Sequence, residues 1–153
     1  MDHQFFELER FKDTLKTGGL KAGLAALNDR VAHRYTAAFR FTGQSMRAVE
    51  FHDKAAEPKP DVFDEVPIGD SFCQFVMRNG QFRTGNSALD HRLNGHAYQG
   101  VLLSYHGVPL LDNAGELFGT LCHFDFSAEG MTDDEFLFFQ KAARLLPPHL
   151  VRD

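Results

Sequence analysis

Residues 101–126 read VLLSYHGVPLLDNAGELFGTLCHFDF, and their pattern decides the fold. Segments 103–111 and 117–126 are rich in aromatic, β-branched and small residues, the composition of strands. Between them Asp112, Asn113, Ala114 and Gly115 supply Asx-turn chemistry and a position for positive φ, so the spacing predicts a β-hairpin. Neither strand alternates cleanly between apolar and polar. Both carry near-continuous apolar runs interrupted by His106, Cys122 and His123, as a strand covered on both faces requires. The hairpin is therefore expected mid-sheet. With Asn113 and Ala114 at the turn centre, antiparallel pairing sets His106 opposite Cys122 or His123.

Working outward, Phe5, Leu8, Phe11 and Leu15 predict an amphipathic helix over 2–17, ended by Gly18-Gly19. A second helix is expected over 20–34, with Leu20, Leu24, Leu27 and Val31 forming a seam that packs either on its own sheet or on a second copy. Segments 35–41 and 46–52 read as strands joined at Thr42-Gly43-Gln44, with Tyr35, Ala37, Phe39 and Phe41 on one face. The polar, proline-containing stretch 53–67 reads as a surface loop over the sheet, a candidate lid. Asp70 or Ser71 caps a short helix through Asn79 that stops at Gly80. Its Phe72, Phe75 and Val76 share one face, and Cys73 and Met77 a neighbouring one, so it is expected to be buried on two sides. Phe82 to Thr84 reads as a brief edge strand, and Ser87 as the start of a short helix that Asn94-Gly95 ends. Thr132 and Glu135 form a reciprocal cap that launches a helix through Phe136, Phe139, Ala143 and Leu146, stopped by Pro147-Pro148. Phe138 and Leu145 fall outside that stripe and are expected to be partly exposed.

With 153 residues, 43% of them hydrophobic, the chain suits a single domain, 1–153, with one substantial core. Sixteen Lys and Arg against 21 Asp and Glu give a net charge of −5 without a basic stripe, which argues against nucleic acid and anionic membrane as partners. Sixteen Phe and no Trp predict an apolar core and pocket poor in indole donors. Cys73 and Cys122 are far apart in sequence, and the first residues show no leader pattern, so a cytoplasmic chain with reduced thiols is expected. No apolar window is long enough to span a membrane.

Chemistry-bearing motifs are sparse. No nucleophile elbow, zincin helix, phosphate-binding loop or dinucleotide fingerprint occurs. Cys73 stands in the first turn of a helix, where the dipole lowers a thiol pKa, but it also stands among Phe72, Phe75 and Val76, where burial raises it. His106 and either Cys122 or His123 are ligands that the hairpin brings near each other. No pair shows zinc spacing, however, and His91 and His96 are five apart, so no metal ligand is assigned.

SYHGVPLL, a polar turn with glycine, GELFGTLCHFD and an acidic-capped helix together resemble the closing half of a GAF domain. Upstream, IGDSFCQFV and TGNSALDHR stand in the order of that family's middle helix and of the short segment facing its ligand pocket. The resemblance covers about 18–146, preceded by the 2–17 helix. It implies a layered α/β fold: a central antiparallel sheet of about five or six strands, terminal helices on one face, and short helices over a ligand pocket on the other. It implies a small-molecule-binding sensory module, non-catalytic, with an unidentified ligand and no assigned cofactor. The pocket is expected to be lined by Phe51, Phe72, Cys73, Phe75, Tyr105 and Phe124, with Asp90, Arg92, His96 and Tyr98 for polar selection. Signalling is expected through a homodimer of terminal helices, the habit of related modules, or to a separate effector. Cys122-His123 is similar to the Cys-His pair that tethers bilin in some GAF domains, but it lies in the final strand rather than a helix beside the pocket. The cyclic-nucleotide signature of the family is absent. Two rival readings stand: an enzyme similar to the family's free methionine sulfoxide reductases, and a ligand-free domain whose pocket is filled by its own phenylalanines. A solvent-lined cavity favours the sensor, two facing thiols the enzyme, and a collapsed pocket the third.

Overall fold

The computed structural model describes residues 3–150. In it the hairpin forms from β5 (Ser104–Leu111) and β6 (Leu117–Asp125), paired antiparallel. Asp112 closes the turn: its Oδ1 accepts from the amides of Ala114 (2.9 Å) and Glu116 (3.0 Å), and Gly115 takes φ 80°, a conformation that glycine adopts without steric cost. The register sets His106 opposite His123 and Gly107 opposite Cys122. His106 therefore shares a face with His123, and Cys122 points to the other face.

Four further strands complete one antiparallel sheet: β1 (Tyr35–Phe41), β2 (Ser45–Asp53), β3 (Glu65–Pro67) and β4 (Phe82–Thr84). The order is β3-β2-β1-β6-β5-β4, so the hairpin is interior, as its apolar runs demand. On one face lie α1 (His3–Asn28) and α3 (Asp133–Ala143), over a core that includes Leu15, Leu24, Leu27, Ala38, Val108, Leu121 and Phe139. On the other lie α2 (Cys73–Asn79) and short 3-10 turns, over Tyr35, Phe39, Phe72, Phe82, Tyr105 and Phe124. The layered α/β class is thus the observed one.

Several local expectations change. The first helix breaks at Gly19 (φ 73°, ψ −166°), as read, but the second stops at Asn28 rather than running to Arg34. Asn28 is fully buried; its Nδ2 donates to the His33 carbonyl (3.0 Å) and Thr36 Oγ1 (2.9 Å), and Lys54 Nζ donates to the Asn28 carbonyl (2.6 Å). Those bonds hold the connector in a turn that a continued helix would abolish. Val31 consequently leaves the seam, while Leu24 and Leu27 are buried within the chain's own core. The stretch 53–67 is more than a loop: it supplies β3 and buries Phe63. Ser87 does not cap a helix; it donates to the Leu102 carbonyl, and Asn86 and Asp90 cap two successive 3-10 turns instead. Only half of the reciprocal cap forms, because the Glu135 carboxylate turns to Arg30 (2.8 Å) after its amide bonds Thr132 Oγ1 (3.1 Å).

Phe138 is the clearest correction. It is 1% exposed, edge-on to Phe11 (ring centroids 6.5 Å) with the Arg30 guanidinium 3.6 Å above its ring. The first arm of α1 folds back over α3, so burial of this ring, worth about 2–3 kcal/mol, stays within one chain. Leu145 is half-buried, and Leu137, not Phe138, is the exposed large apolar side chain of α3.

Candidate functional site

A cavity of about 80 Å³ lies between the sheet and the start of α2. Strand alternation aims Phe39, Tyr105 and Phe124 at it from three strands. Phe72 and Cys73 wall it from α2, and Val62, Phe63 and Val66 from the 53–67 segment. Asp70, Ser71, Tyr98, Leu102 and Phe126 complete the lining. Pockets for drug-sized ligands measure roughly 300–1,000 Å³. This one is smaller because the chain's own phenylalanines occupy much of the space: Tyr35 stacks on Phe124 (5.2 Å), and Phe63 packs on both Phe51 (5.4 Å) and Phe124 (5.2 Å).

Of the ten residues expected at the pocket, five line it: Phe72, Cys73, Tyr98, Tyr105 and Phe124. Phe51 lies behind it, against Tyr35 and Phe63. Phe75 projects from the other side of α2 onto Phe82 (4.9 Å). His96 packs on Phe72 (4.8 Å) one layer out, and burial lowers its pKa. Asp90 and Arg92 satisfy each other at the β4 edge: Arg92 Nη2 donates to Asp90 Oδ2 (2.6 Å), and this pairing holds the carboxyl down to about 2. Sequence reasoning missed Phe39, Val62, Phe63, Val66, Leu102 and Phe126, and read Asp70 and Ser71 only as helix caps. The signal for Phe39 was its shared face with Tyr35, and for Val62-Phe63 their being the one adjacent apolar pair of large side chains in a polar stretch.

The cavity's inner wall brings the two cysteines together. Cys73 is 3% exposed and Cys122 fully buried. Tyr105 Oη donates to Cys73 Sγ (3.2 Å), Thr120 Oγ1 donates to it (3.1 Å), and the Cys122 thiol is a further hydrogen-bond partner. Burial alone would push the Cys73 thiol up; bonds from Cys122, Ser71, Thr120 and Tyr105 outweigh it and bring the thiol to about 6. Burial raises Cys122 well above the ordinary thiol range, and its neighbour's charge adds to this. Gly107 makes the approach feasible, since a Cβ there would stand 2.7 Å from Tyr105 Oη and 2.8 Å from Val76 Cγ2.

The opposite face holds three buried histidines: of the two expected partners of His106, Cys122 or His123, the register selects His123. His33 and His106 meet edge-on (5.0 Å), His33 and His123 stack (5.9 Å), and His123 stacks on Phe139 (4.2 Å). Asn28 donates to Thr36 Oγ1, which leaves the Thr36 hydroxyl proton for His123 Nδ1 at 2.6 Å. Burial lowers all three: His33 to about 4, His106 to about 3, and His123 well below its usual value, with His33 and His106 adding to the last. Among the described residues no group of three or more His, Cys, Asp or Glu is placed to hold a metal ion.

No family model and no curated protein matches the sequence. Solved structures do. The GAF domain of the Acinetobacter phosphoenolpyruvate-protein phosphotransferase superposes with a TM-score of 0.74 at 13% identity, over 97% of this chain and 93% of that one. The chain has the GAF fold. Free methionine-R-sulfoxide reductase from Neisseria meningitidis, solved with its substrate, shares it too (TM-score 0.72, 14% identity, 97% and 90% covered). So does the chromophore-binding domain of the bacteriophytochrome RpBphP3 from R. palustris (0.73, 8%, 94% and 58%). The GAF fold is thus common to a domain of a phosphotransferase, a reductase and a photoreceptor, and chemistry must be argued from the site. Among the described residues, no helix is long and apolar enough to cross a membrane.

Proposed function

We propose that this GAF-fold chain is a non-catalytic sensory or regulatory module that binds a compact, apolar small molecule. The observation that carries the reading is the cavity itself: it is walled by phenylalanine and tyrosine from β1, β5, β6 and α2, and Asp70 is the single charged residue in its lining. Such a site rewards apolar surface and offers no cation to a carboxylate or phosphate. Occupancy would press on Phe63 and Val66, which tie the 53–67 segment to the sheet. The signal would pass through β1 and β6, which both layers share, to α1 and α3. The receiver is a second copy of the chain or a separate effector, in a reducing compartment such as the cytoplasm. A homodimer would have to use surfaces other than Phe138, which α1 already covers.

Native mass spectrometry of protein as purified from cells should show a retained small molecule. Titration of emptied protein with toluene should raise the thermal midpoint by a few degrees, on the order expected when a ligand binds only the folded state. The absence of both a retained molecule and a shift would overturn the reading. A second reading has one observation in its favour, the contact between Cys73 and Cys122: a reductase acting on free methionine sulfoxide. Dithiothreitol-driven turnover of that compound is expected to be absent, because the lining lacks a cation for its carboxylate. Turnover lost in Cys73→Ser would replace the proposal.

A further inference from the structure

We propose that Cys73 and Cys122 form a hydroperoxide-oxidised dithiol, with Cys73 as the attacking sulfur and Cys122 as the resolving one. This goes beyond the ligand-binding reading and does not rest on it.

The assignment of roles follows from position. Cys73 lines the cavity, whereas Cys122 does not and lies fully buried behind it, its Sγ 3.7 Å from the Ala37 carbonyl. A reagent small enough for about 80 Å³ therefore meets one sulfur only. Two hydroxyl donors already converge on that sulfur, Tyr105 Oη and Thr120 Oγ1, an arrangement that stabilises sulfur as an anion. Burial pushes the Tyr105 hydroxyl well above its ordinary pKa, so it keeps its proton and remains a donor. The thiolate is the nucleophilic form, and the shift of Cys73 to about 6 agrees with the geometry. The apolar lining keeps out larger and charged oxidants.

The chemistry balances in two steps. The Cys73 thiolate attacks the terminal oxygen of the hydroperoxide. An S–O bond forms, the O–O bond breaks, and the electron pair leaves on the alkoxide or hydroxide, which takes a proton from water. The Cys122 thiol then displaces the new hydroxyl: the S–S bond forms, the S–O bond breaks, and the Cys122 proton leaves in water. Two thiols are oxidised and one hydroperoxide is reduced.

The test is treatment of the full chain with hydrogen peroxide, followed by alkylation and peptide mapping. The expected result is loss of two hydrogens, loss of both alkylation sites, a peptide linking Cys73 to Cys122, and reversal by dithiothreitol. Cys122→Ser should stop at a Cys73 sulfenic acid that dimedone traps, and Cys73→Ser should leave Cys122 reduced. Tyr105→Phe reads a positioning role. The pH midpoint of thiolate absorbance should rise by about one unit, and oxidation at pH 6 should slow about fivefold through the smaller thiolate fraction. Two free thiols surviving in the native chain, links only between chains, or disulfide formation by methionine sulfoxide rather than peroxide would each overturn the proposal. The mapping on unmodified protein decides the matter even where a cysteine variant fails to fold, and thiol state is read separately from toluene binding.

Discussion

Cys122 and His123 are neighbours on β6, yet they enter opposite environments. On the pocket face, beside Cys122, Cys73 Sγ accepts from Tyr105 Oη and Thr120 Oγ1. On the helix face His106 Nδ1 and His123 Nε2 are buried without a partner. Both sets of side chains are at most 3% exposed, so burial alone does not decide which charge is tolerated. Where hydroxyls point inward an anion is stabilised; where rings pack on rings, every histidine is held neutral. The difference is one of hydrogen-bond supply, and it shows that a single strand can separate two titration regimes by its alternation.

The strongest way to break the comparison is to empty each face in turn. Phe124→Ala and Phe139→Ala should each cost about 3–5 kcal/mol in urea denaturation, since both rings are at most 2% exposed. Phe124→Ala should also enlarge the cavity and tighten toluene binding, and Phe139→Ala should leave binding unchanged. Equal effects on binding would mean the two layers are not independent.

Acid sharpens it next. The folded-state values of His33, His106 and His123 lie below those of an unfolded chain, so the unfolded state takes up protons first. Stability is then full above about pH 6.5 and falls as the pH drops, by roughly 1 kcal/mol per histidine over the first unit. The loss from His33 ends near pH 4 and that from His106 near pH 3. His106→Leu should flatten this limb in pH-dependent denaturation, whereas Cys73→Ser should not.

The smallest effect belongs to Gly107→Ala, which adds a methyl between Tyr105 and Val76. A cost of about 1–3 kcal/mol is expected from overpacking. As Tyr105 is displaced from Cys73, the thiolate midpoint should rise. An unchanged midpoint would show that Tyr105 Oη contributes little to the anion.

The hairpin, its mid-sheet position and the helix break at Gly19 were legible in the residues because each rests on local chemistry: an Asx turn, apolar runs, a glycine pair. The cavity was half legible. Residues aimed by strand alternation or standing in the first turn of α2 were found, whereas Val62, Phe63 and Val66 sit in a polar stretch whose path only the assembled sheet dictates. Phe138 was misjudged because its cover, Phe11 and Arg30, comes from the far end of the chain. At Cys73 the sequence sets the helix dipole against burial among Phe72, Phe75 and Val76. Its burial was read correctly, but the hydroxyls that change its chemistry arrive from β5 and β6. His33, a single histidine in a connector, carried no pattern at all.

Both tyrosines of the cavity lining, Tyr98 and Tyr105, and Tyr35 stacked on Phe124 behind it, belong to the pocket face. They are all the tyrosines in the chain, which has no tryptophan. Its tyrosine emission therefore originates from that layer alone, with the phenol of Tyr105 bonded directly to Cys73 Sγ. The molecule carries its own fluorophore on the side where ligand and oxidant are expected, and the histidine layer, whose aromatic rings are phenylalanine and imidazole, adds no tyrosine emission. Emission intensity and lifetime thus report on one half of the protein without any label.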